Sequence, residues 1–229
     1  MKMNKFVKYR REFHQYPELG WREIRTSARI AEILEEMGYK CLMGTDVINE
    51  SSITFEMLSD EEKETEKKRA VAQGATLEYV NRTEGYPGVI AELNTGKEGP
   101  VTVFRFDIDC LPYQEPQKAG FRPFDEGFIS CNSGSVHACG HDAHTAIGLG
   151  MAEKLLEKKD RLKGKLNIIL HLLSFISRIE HLIGFGPAFN KGGSAFSQFI
   201  CKMRAIFAIR IFEFLDGAIE RMSEFMHES

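Results

Sequence analysis

The chain has 229 residues, 43% of them apolar and 28% charged, with a net charge of −3. That composition describes a globular chain long enough for one domain and part of another, and it excludes disorder or fibre as the main state. The near balance of 30 basic and 33 acidic residues gives no electrostatic case for a nucleic-acid partner or an anionic membrane surface, and no apolar run approaches the ~18–20 residues that span a bilayer.

The N-terminus is basic and lacks the apolar stretch of a secretory signal. Five scattered cysteines, Cys41, Cys110, Cys131, Cys139 and Cys201, suit reduced thiols in a cytoplasmic setting. Residues 5–16 read as a basic amphipathic helix that Pro17 ends. A second helix is predicted over 21–37, because Ile24, Ala28, Ala31, Leu34 and Met37 recur every three or four residues. Gly38 stands where a left-handed C-terminal cap belongs. Residues 39–48 read as a strand and its exit. Residues 60–69, DEEKETEKKR, carry nine charges of nearly balanced sign. They read as a solvated helix face within a charged helical insertion spanning about 55–82. Strands are predicted at 86–93 and 101–109, joined as a hairpin by the turn-rich residues 94–100. Residues 113–135 lack periodicity and read as loop. A helix follows over about 145–159, with Ile147, Met151 and Leu155 on one stripe, and then an apolar strand over 165–173. Nine of the seventeen phenylalanines fall in the last 58 residues, which sets 172–229 apart as a divergent tail. Within that tail, residues 201–227 can form an amphipathic helix.

Two segments carry chemistry. In His137-Ala-Cys139-Gly140-His141-Asp142-Ala-His144, three histidines, a cysteine and an aspartate fall within eight residues. Thiolate and imidazole are the donors that Zn²⁺ and similar ions prefer. Cys139 and His141 lie on one side of an extended segment, and Gly140 lets the backbone turn tightly. Asp142 or Thr145 can cap the helix that follows. Each of these residues taken singly is more often packed in a core or on a surface, and Cys139 alone is a small hydrophobe. Cys131 does not stand at a zinc-ribbon spacing from Cys139 and reads as a neighbour of the motif, not a ligand. The second segment is Val101-Thr-Val-Phe-Arg-Phe-Asp107-Ile-Asp109. Its two aspartates share a face at the C-terminal end of a strand, where open α/β sheets place their sites. There they can bind metal, orient a ligand histidine or raise each other's pKa, or simply cap the next turn.

With Arg10-Arg-Glu-Phe-His14-Gln-Tyr-Pro17-Glu18-Leu-Gly20, with Arg105-Phe-Asp107-Ile-Asp109-Cys-Leu-Pro112, and with residues 137–144, the sequence resembles the M20 metallopeptidase family in its amidohydrolase branch. Residues 47–52, the charged insertion and residues 127–132 narrow the resemblance within that branch. It covers 5 to about 170. It implies an α/β fold, a helix-flanked mixed sheet equal to the first half of a zinc-peptidase-like catalytic domain at 1–171, with the lid domain absent. It implies a paired divalent-metal site, zinc or manganese. Cys139 and His141 match metal ligands, Asp107 is a further candidate, and Asp109 matches the supporting aspartate. The implied substrate is a small N-acyl or N-aroyl amino acid, p-aminobenzoyl-glutamate foremost, and a homo- or hetero-oligomer is compatible with the family.

In the family, the strand equivalent to 165–173 runs into P-A-E-E-G, with one glutamate as general base and the other as ligand. Here it runs Ile168-Ile-Leu-His171-Leu-Leu-Ser-Phe-Ile176, followed by a lone Glu180 and by His181, which no motif places. The expectation is a reading frame interrupted near residue 171 and a catalytically incomplete chain. The alternatives are a fragment that holds metal or a partner without hydrolysis, and a half-subunit completed by another chain.

Overall fold

In a computed structural model, residues 3–48 and 57–171 are described, and all of them belong to one unit. The expectations for residues 49–56 and for the tail, including Glu180, His181 and Cys201, lie outside the described residues. The chain runs α1 (Lys5–Gln15), α2 (Ile24–Glu36), β1 (Lys40–Met43), α3 (Asp60–Ala72), α4 (Leu77–Arg82), β2 (Val89–Asn94), β3 (Val101–Phe106), α5 (Arg122–Asp125), α6 (His141–Glu157) and β4 (Lys165–Leu170). α5 is a single turn inside the stretch expected as loop.

The predicted face of α2 is the one it buries: Ile24, Ala28, Ala31 and Leu34 are at most 1% exposed. Gly38, at φ +99°, closes the helix. Its N–H donates to the Glu35 carbonyl and the N–H of Tyr39 reaches back to Leu34, the paired bonds of a Schellman cap. The other end of α2 is held from outside the helix. Glu18 is buried, and its two carboxylate oxygens accept the backbone N–H groups of Arg25 (3.0 Å) and Thr26 (2.7 Å). A carboxylate on these exposed donors also opposes the positive end of the helix dipole.

The four strands form one mixed sheet in the order β1-β2-β4-β3. β1 pairs antiparallel with β2, β2 antiparallel with β4, and β3 parallel with β4. The expected hairpin between the second and third strands does not form, because β4 lies between them. Burial explains the order. β4 is buried at every position but Lys165, as a central strand must be, whereas β3 is only partly buried. The 94–100 connection therefore passes the start of β4. Thr95 N–H donates to Gly164 O, Gly164 N–H to Lys97 O, and Lys165 N–H to Pro100 O.

α1, α2 and α6 cover the sheet around a core that includes Phe13, Ile30, Leu34, Leu149, Ile168 and Leu170. Each such fully buried apolar side chain contributes roughly 1.5–3 kcal/mol. A smaller cluster, Ile24, Ala28, Ala70, Ala75 and Val80, seats α3 and α4 on α2. α3 begins with the Ser59/Glu62 capping box. Most of its charges are exposed, as a solvated face requires. Its inner edge departs from that reading, because Arg69 reaches Glu18 and Glu66, while Arg22 pairs with Glu62 and Glu66.

Candidate metal centre

α6 begins at His141, four residues before the predicted start. Gly140 is its N-cap at φ +81°, a left-handed conformation that a side chain would strain. Neither Asp142 nor Thr145 is the N-cap residue, although Asp142 does take up one exposed N–H of the first turn. The Thr145 hydroxyl donates back to the His141 carbonyl (2.9 Å), and Asp142 Oδ1 accepts the N–H of Ala143 (2.8 Å). His141 is therefore not on an extended segment with Cys139. It lies one helical turn from His144, and the two rings stack at 5.2 Å between centroids.

β3 ends at Phe106, so Asp107 and Asp109 leave the sheet just beyond its C-terminal edge. The 14–20 segment docks there: Cys110 N–H donates to Glu18 O (2.9 Å). Asp109 meets His141 with both its carboxylate and its carbonyl, Oδ1 lying 3.0 Å and O 2.9 Å from Nδ1. Asp107 pairs with Arg105, and its other oxygen lies 3.9 Å from His144 Nδ1.

Among the described residues, Asp107, His141 and His144 have ligand atoms that all lie within 4.8 Å of one another. One carboxylate and two imidazoles are a donor set that suits zinc or manganese. A proton on His141 Nδ1, shared between the two Asp109 oxygens, leaves the Nε2 lone pair for an ion. The exposed His144 opens the cluster to solvent. Cys139 is exposed, two residues before His141, and is not among the three converging residues. His144 is not singled out by the motif pattern alone. Its signal is the three-residue spacing from His141, visible only once the helix is known to start at His141.

The first histidine of the motif is elsewhere. His137 is buried, neither ring nitrogen has a hydrogen-bond partner, and burial pushes its pKa down to about 4. Glu23 is a further residue that no sequence pattern marks. Its carboxyl is wholly buried with no side-chain partner, and burial, with Glu18 and Asp109 near it, raises its pKa well above its ordinary value. Cys131 is exposed and bonds the Gln15 carbonyl through its thiol. The four described cysteines are free thiols.

The hydrogen bond to Asp109 raises the His141 pKa above its ordinary value, against the opposing effect of burial. The raised value favours the doubly protonated ring, and an ion must displace its second proton, the one on Nε2. Zn²⁺ affinity is therefore expected to rise as pH increases from about 6 to about 8. Calorimetry across that range checks this, and a flat or falling affinity would place the binding elsewhere.

Residues 103–172 match the model of peptidase family M20/M25/M40. Over 167 residues the chain is 45% identical to one of the subunits of p-aminobenzoyl-glutamate hydrolase from Escherichia coli K12, covering 72% of this chain and 38% of that protein. Over 165 residues it is 42% identical to indole-3-acetyl-aspartic acid hydrolase of Enterobacter agglomerans, covering 71% and 37%. The solved structure of an aminobenzoyl-glutamate utilization protein from Klebsiella pneumoniae aligns with a TM-score of 0.55 at 32% identity, over 72% of this chain and 36% of that one. The chain thus spans less than two fifths of the length of these relatives. Among the described residues, no helix is long and apolar enough to cross a membrane.

Proposed function

This chain belongs to peptidase family M20/M25/M40, and from that premise we propose that its described residues form the metal-holding portion of an amidohydrolase. The observation that carries the reading is the convergence of Asp107, His141 and His144 at the edge of the sheet. In this reading these three hold a divalent ion, zinc or manganese. Asp109 orients His141, and the exposed Cys139 thiol, two residues before His141, is an additional candidate ligand. When bound, the ion supplies Lewis acidity toward an amide carbonyl and toward water. Arg105 holds Asp107 in place through its ion pair.

Two relatives are named for related substrates, p-aminobenzoyl-glutamate and indole-3-acetyl-aspartate, each an aromatic acyl group on an acidic amino acid. That common chemistry supports the same class of substrate here. The Escherichia coli relative is one subunit of its hydrolase, which supports assembly with another chain.

Hydrolysis also needs a base for the proton of the attacking water. No Glu-Glu pair occurs after residue 171 in this sequence. The chain alone is therefore expected to bind the ion and to release no detectable p-aminobenzoate from p-aminobenzoyl-glutamate with Zn²⁺ or Mn²⁺ supplied. A base contributes ~10²–10⁴-fold, enough to carry turnover below detection. The assay compares the native chain with His141→Ala. Turnover that disappears in the variant would show that another residue supplies the base. Metal binding without turnover distinguishes the holding portion from a complete enzyme.

A further inference from the structure

His14 lies in the last turn of α1 and is buried at 5% exposure, with a carboxylate on each ring nitrogen. Nδ1 lies 2.8 Å from Asp142 Oδ2, and Nε2 lies 2.7 Å from Glu115 Oε1. Both carboxylates are themselves buried. Only the doubly protonated ring can donate to both. Although burial opposes it, these two partners raise the His14 pKa. The other charged group on the pair is Arg10, whose Nε lies 2.9 Å from the same Asp142 oxygen. Glu115 Oε2 accepts the N–H of Ser130 (2.6 Å), and the Phe128 ring packs edge-on against His14 at 5.5 Å. One imidazolium thus ties together α1, the 113–135 stretch and the first turn of α6. The tie to α6 lands on Asp142, the residue next to His141.

We propose that His14 is a positioning residue for the metal centre: through Asp142 it fixes the helical turn that presents His141 and His144, while its bond to Glu115 serves the loop and not the centre. The proposal rests on the metal-centre reading above. It makes the two faces of one ring unequal. Asn places its amide nitrogen near the Nδ1 position, and Gln near the Nε2 position. His14→Asn keeps a donor for Asp142, and His14→Gln keeps one for Glu115. A residue that merely stabilises the fold would show no such preference.

The test is Co²⁺ titration of the full chain, read by calorimetry and by the visible absorption of the bound ion, with thermal unfolding measured alongside. His14→Gln is expected to weaken Co²⁺ binding by about tenfold or more, the scale of losing an outer-shell partner. His14→Asn should stay within about threefold of native on that scale, although both variants lose a buried bond and melt earlier. Should either fail to fold, the same asymmetry is read from the carboxylates. Asp142→Asn is expected to weaken binding by about tenfold, and Glu115→Gln by less than about threefold. Equal effects of the two members of either pair, or affinities that follow melting temperature across the set, would overturn the proposal. Failure of the native chain to bind Co²⁺ would overturn it together with the metal-centre reading, and is recognised before any substitution is made.

Discussion

Alanine in place of His141 will weaken Zn²⁺ binding by more than ~100-fold, because losing an outer-shell partner alone costs ~10–100-fold and His141 is placed to ligate. The ring sits between Asp109, which receives Nδ1, and His144, on which it stacks. His144→Ala should act in the same direction. Asp109→Ala should cost about tenfold, at the lower end of that range, because the Asp109 carbonyl still accepts the Nδ1 proton after its carboxylate is gone. Isothermal titration of the three variants checks this order. Equal and small effects in all three would mean that the ion binds without these rings.

Gly164→Ala will unfold the sheet or destabilise it by at least about 3 kcal/mol, the combined scale of left-handed strain and forced overpacking. Gly164 has φ +79°, and a Cβ there would lie 2.0 Å from Pro100 O and 2.7 Å from Gly99 C. Both are backbone atoms of the connection into β3, so neither can swing aside. The clash falls where β3 and β4 begin their parallel pairing. Gly96→Ala is the control. Its φ is +73°, yet nothing lies within 4 Å of its Cβ, so it should lose only about 1 kcal/mol. Urea unfolding of both variants checks the contrast. Similar midpoints would show that the 94–100 connection is free to move away from β4.

The sheet order that makes Gly164 critical is not legible from neighbouring segments. Residues 86–93 and 101–109 look like a hairpin because a short polar turn joins them. The contrary signal lies about seventy residues on. Leu166 to Leu170 is a nearly continuous apolar run, the pattern of a strand buried on both faces, so it takes the central place. Local periodicity does locate α2 and its cap, because a one-sided apolar stripe and a glycine just past it are set by that segment alone.

The candidate site is partly legible in the same way. Motif spacing locates the two segments that meet, 105–112 and 137–144, whereas only the family resemblance, not spacing, points to Asp109, which contacts His141. Spacing misplaces the start of α6. Cap preference points to Asp142 or Thr145, but Gly140 makes the turn, and Asp142 sits inside the first turn with one oxygen on the Ala143 N–H and the other on His14 and Arg10. That shift of four residues moves His141 into a helix and brings His144 beside it. The charged stretch 60–69 is legible as a helix, but the role of Arg69 is not, since nothing local to α3 shows that Glu18 lies beneath it.

X-ray absorption of the Zn²⁺-loaded full chain tests the metal centre most directly, because it reports the ligand atoms themselves. The predicted spectrum has nitrogen or oxygen at ~2.0–2.1 Å with the multiple scattering of two imidazole rings, and a sulfur shell at ~2.3 Å to the extent that Cys139 joins them. His141→Ala and His144→Ala should each remove one ring's contribution. A spectrum of oxygen ligands alone, unchanged in both variants, would contradict a centre built on Asp107, His141 and His144.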